Sequence, residues 1–140
     1  MNIIKDLVLG IVGLVGSGIA YIFGGWNKAM VALIIFMAID YLTGLMVAGV
    51  FKKSQKTKNG GLESRAGFKG LCRKCAVLLL VAVGYQLDKM IGTDYLKNTI
   101  IIAFVANEAL SITENMALMG VPMPTPVKKA IEILKDKSKE

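Results

Sequence analysis

Charge is nearly absent from long stretches of this chain, and that segregation constrains the fold more than any motif. Leu7–Gly24 contains no charged residue, and Ala29–Phe51 carries only Asp40. Cys75–Gly92 is charged only at Asp88 and Lys89, and Asn98–Met119 only at Glu108 and Glu114. A helix crossing ~30 Å of hydrocarbon at ~1.5 Å per residue needs about 20 residues, so four crossings use about 80. That is close to the 54% of 140 residues that are apolar. Four such helices in a short soluble chain would leave no polar faces to meet water. The expectation is an all-α integral membrane protein, one domain over residues 1–140, with four transmembrane helices at about 7–24, 29–51, 75–92 and 98–119.

Orientation follows from the basic residues, which outnumber the acidic ones 17 to 10. All except Lys28, Lys89 and Lys97 lie before the first span, in the loop 52–74 or in the tail 120–140. The positive-inside rule then puts both termini and the central loop in the cytoplasm. The net charge of +7 does not indicate nucleic acid, because aromatics are only 7% of residues and the cations fall between apolar blocks.

The loop opens with a flexible tract, Ser54–Gly61. Beyond it Ser64 is a candidate N-cap for a helix whose Arg65, Lys69 and Arg73 recur on one face, opposite Phe68, Leu71 and Cys75. This segment reads as an interfacial basic helix running into the third span, with Arg65, Lys69, Arg73 and Lys74 near anionic headgroups, or as a plain positive-inside loop. In the tail, Thr125 and Pro126 are expected to start an amphipathic helix. Its Val127, Ala130, Ile131 and Leu134 oppose Lys128, Lys129, Lys135 and Lys137, so it is expected along the inner membrane surface or against a partner.

With no histidine and one Cys-x-x-Cys pair, Cys72 and Cys75, a four-ligand zinc site within the chain is unavailable, and the thiols read as small buried residues. No cofactor or metal is expected. In the first span Gly10, Gly13, Gly16, Ser17, Ala20 and Gly24 fall within about 120° of the helix circumference. This small-residue face suits close helix packing, within the monomer or between monomers.

The fourth span carries a polar stripe. Asn107, Glu108, Ser111, Glu114 and Asn115 share one side, and Glu108 sits at about the depth of Asp40 in the second span. No cation is expected at that depth. Such a stripe must face protein or water, so it either ties helices together or becomes wet on assembly. An enzyme would need a nucleophile beside a base, or an extramembrane substrate domain, and neither is present. Rival readings are a small four-helix ion channel, a proton-coupled transporter subunit, and a scaffold binding at the basic loop.

Three segments carry a resemblance: Asp40-Tyr41-Leu42-Thr43-Gly44, the Ser64–Leu71 approach with Arg73-Lys74, and Asn107–Asn115 running on to Met119–Pro124. Over roughly residues 29–135 the chain resembles the bacteriophage holins of the toxin-secretion/phage-lysis type. The resemblance implies a phage protein that accumulates in the cytoplasmic membrane of a bacterial host, self-associates and forms lesions. An endolysin, or in some relatives a toxin, leaves through them without necessarily touching the holin. Membrane lipids and further copies of the chain are then its partners, and nucleic acid is not.

Overall fold

The computed structural model describes residues 2–139; the two terminal residues of the expected domain and tail, 1 and 140, lie outside the described residues. Five helices and no strand occur among them: α1 Ile3–Phe23, α2 Lys28–Gly49, α3 Ser64–Ile91, α4 Leu96–Leu118 and α5 Thr125–Lys137. The all-α expectation holds.

Local chemistry sets the ends. Asn27 caps α2, its side-chain oxygen accepting from the Met30 amide at 2.8 Å. Gly24 and Gly92 close α1 and α3 at φ 77° and 75°, a left-handed conformation that glycine adopts without strain. Asp88 organises the next start, accepting from the Thr93 hydroxyl at 2.6 Å and from the Leu96 and Lys97 amides at 3.0 and 2.9 Å. Ser64 and Thr125 are the first residues of their helices rather than caps. Glu63 and Pro124 hold the cap positions, with no capping side-chain bond.

The expected count of four spans is corrected. Three helices, α1, α2 and α4, are long and apolar enough to cross a membrane. In α3 the uncharged stretch is only Cys75–Leu87, bounded by Lys74 and Asp88, about 20 Å of the ~30 Å needed, so α3 does not qualify by composition and returns the chain from the end of α2 to the start of α4 packed within the bundle. The expected interfacial helix is also not a separate element. It is the first half of α3, a single 28-residue helix, because nothing between the basic and apolar segments breaks the backbone.

Helices α2 and α4 form the most extensive pair, with α3 packed against both. Gly67 lies near Tyr41, and Gly84 lies against Lys97 and Ile100, so α3 runs antiparallel to two helices that are parallel to each other. Met30, Leu33 and Met37 of α2 meet Val81 of α3 and Ile101 and Val105 of α4 in the core. Gly84 permits the closest approach. A Cβ there would stand 2.6 Å from the Ile100 side chain.

Helix α1 stands apart, with no buried residue. It is held at its C-terminal end, where Lys97 Nζ donates to the Phe23 carbonyl, Gln86 donates to the Ile22 carbonyl at 3.2 Å, and Tyr85 packs on Gly24. Along its small-residue face, Gly10, Gly13 and Gly16 have open space where a Cβ would point; only Gly24 among these glycines meets another helix.

Candidate functional site

The depth match between Asp40 and Glu108 is real, and a cation lies between them. Lys74 Nζ is 2.7 Å from Asp40 Oδ2 and 2.8 Å from Glu108 Oε2. This corrects two expectations: that no cation shares that depth, and that Lys74 lies at the membrane surface. The physical reason is the helical turn. Lys74 is about 180° round α3 from Arg65, about 140° from Lys69 and about 100° from Arg73, so it points at α2 and α4 while Arg65 and Lys69 point outward and Arg73 lies at the crevice edge.

A second set of bonds fastens α2 to α4. Asn115 Nδ2 donates to Asp40 Oδ1 at 3.0 Å, to the Asp40 carbonyl at 3.2 Å and to Thr43 Oγ1 at 2.9 Å. The Thr43 hydroxyl in turn donates to the Ile39 carbonyl at 2.8 Å. Asp40, Thr43, Glu108 and Asn115 are all buried. Charge-assisted bonds of this length are among the stronger ones, and their partners are costly to orphan in a low-dielectric interior.

Beside this network opens a crevice of about 460 Å³ between α2, α3, α4 and the loop residues Ser54–Thr57. All five stripe residues of α4 line it, as do Asp40, Lys74 and Arg73. The stripe is thus brought together with Asp40, but unequally: Glu108 and Asn115 are buried, Ser111 is half-buried, and Asn107 and Glu114 are exposed. With two carboxylates against one ammonium at its deepest point, the wall can hold water and bias it toward cations.

The remaining predicted residues lie elsewhere. Arg65 and Lys69 are exposed on the outer face of α3, and Lys128 and Lys129 on α5. The α1 residues Gly10, Gly13, Gly16, Ser17, Ala20 and Gly24 take no part in the crevice. Cys72 and Cys75 are exposed rather than buried, because α3 turns that side away from α2 and α4. Sequence reasoning missed Thr43, which sits one turn after Asp40 on the same face, and Lys74, whose offset from the basic row was the available signal.

Comparison with known proteins assigns the chain to a family. The bacteriophage holin family matches residues 17–136, from the second half of α1 through α5. The chain belongs to that family. It is 31% identical over 116 residues, 82% of this chain and 79% of the relative, to a probable holin of Bacillus phage phi105. An uncharacterized Listeria innocua protein is 36% identical over 133 residues, 94% of this chain and 89% of its own length. An uncharacterized Clostridium perfringens protein is 36% identical over 138 residues, 97% of this chain and 98% of its own. No solved structure matches.

Proposed function

We propose that this holin-family chain accumulates in the cytoplasmic membrane of a bacterial host and self-associates into lesions that let an endolysin, or a toxin, out of the cell. One observation carries the reading: the polar crevice along α4, ion-paired at its base, in a chain whose α1, α2 and second half of α3 expose apolar side chains. A monomer keeps that wall against its own loop and α3. In an assembly, several such walls share one aqueous surface while apolar flanks meet lipid. Higher density favours the assembly by mass action. The chemistry is non-enzymatic in this account, and the partners are lipid and further copies of the chain.

The crevice-forming loop and the turn after α4 lie at the same end of the bundle, and most exposed cations outside α5 belong to that loop and the start of α3. We place that end in the cytoplasm by the positive-inside rule. Helix α1 reaches the opposite end at Phe23, so a crossing α1 starts from the cytoplasmic side. Its open glycine face is the surface we assign to contact between copies.

The test is induction in a bacterium that holds a cytoplasmic reporter enzyme. Release of the enzyme supports lesions large enough for an endolysin. Leakage of ions alone supports the channel or transporter reading, and no leakage supports a scaffold.

A further inference from the structure

Helix α5 does not stand off from the bundle, as an interfacial tail helix would, but doubles back along α4. Lys128 lies with Thr113 and Ala117 around a hollow under the Gly120–Met123 turn. One turn further Ile131 is buried, and Leu134 packs against the core cluster that contains Met37 and Val105. Those two core residues are three positions from Asp40 and Glu108 respectively. The last turns of α5 therefore lie against the bundle core, alongside α4 and not beyond its end.

That placement conflicts with α4 as a membrane span. Lys128, Lys129, Lys135 and Lys137 are exposed on α5, and none forms an ion pair among the described residues. With α4 across a bilayer and α5 docked on it, these ammonium groups would face hydrocarbon, where charge is expensive. The apolar stripe of α5 can be served equally well by α4 or by the acyl boundary of a membrane surface; the lysines can be served only by the surface. The connection permits the exchange, since Gly120 adopts a left-handed conformation at φ 79° and Val121–Pro124 belongs to no helix.

We infer that α5 is a strap that trades the flank of α4 for an anionic lipid surface. Docked, it covers α4; at the membrane it lies on the headgroups and leaves the Thr113–Ala117 side of α4 uncovered. The inference rests on α4 crossing the membrane, as the reading above requires.

Spin labels on Asn107→Cys and Lys135→Cys, in the full chain with Cys72 and Cys75 replaced by serine, report the docking. The two labels are expected close together in an uncharged maltoside micelle and far apart in vesicles of phosphatidylcholine with phosphatidylglycerol. Replacing Lys128, Lys129, Lys135 and Lys137 by glutamine is expected to lower the undocked fraction in those vesicles about tenfold or more. Oxygen accessibility of a separate label at Ala103→Cys, which does not line the crevice, shows whether α4 is inserted. An inserted α4 with the labels still close overturns the strap alone, and an α4 outside the bilayer overturns the spanning reading with it.

Discussion

Lys74 Nζ stands 2.8 Å from Glu108 Oε2, although the residue before it, Arg73, is exposed to solvent. One helical step separates a surface cation from the ion that closes the crevice. The same ammonium reaches Asp40, so a single side chain of α3 holds both parallel helices.

Removing that side chain leaves two buried carboxylates together. Lys74→Met is expected to destabilise the bundle by about 3–5 kcal/mol, because the cost is that of uncompensated buried charge. The triple change Asp40→Asn, Lys74→Met, Glu108→Gln should recover most of the loss. Thermal unfolding in detergent measures both, and a triple variant no more stable than Lys74→Met would contradict the charge argument.

Gly84 tests the packing of α3. An added methyl would stand 2.6 Å from the Ile100 side chain and 3.4 Å from the Lys97 backbone, so Gly84→Ala should cost about 1–3 kcal/mol. The same unfolding assay applies, and a neutral effect would mean that the Ile100 side chain gives way while the helices stay in contact.

The open face of α1 predicts a different pattern. An added Cβ at Gly16 meets nothing in the monomer, so Gly16→Leu should not lower its unfolding free energy. If copies meet at that face, it should still reduce cross-linked oligomers and delay permeabilisation, as should Ala20→Leu, whereas Gly18→Leu should do less. Equal oligomer yields for all three would remove the face from the account.

Topology is read by thiol labelling in a background lacking Cys72 and Cys75. Cysteines at Asn59 and Lys139 should resist an impermeant reagent added to intact cells, and one at Asn27 should react. Labelling at position 59 before lysis would reverse the proposed orientation.

The helices, the polar stripe and the shared depth of Asp40 and Glu108 were legible because hydrophobic period and residue counting report directly on helix faces. Other features depended on direction or tertiary contact. The chemical change at Lys74-Cys75 looks like an element boundary, yet the helix runs straight through it. Lys74 reads as one more positive-inside residue unless its angle from Arg73 is considered. The docking of Ile131 and Leu134 was hidden, since an apolar stripe says that something is covered but not whether lipid or protein covers it. Cys72 and Cys75 read as buried by residue type, but the turn of α3 faces them outward.

The most direct test of the account is Glu108→Gln, scored by release of a cytoplasmic reporter enzyme at matched protein abundance. The substitution keeps the size and hydrogen bonding of the side chain and leaves Lys74 paired one to one with Asp40, so folding and insertion should survive. If the crevice wall must carry net negative charge to hydrate as copies assemble, release should be delayed or lost while small cross-linked oligomers persist. Release on time and in full would contradict the account, and would leave Glu108 as a tie between helices and nothing more.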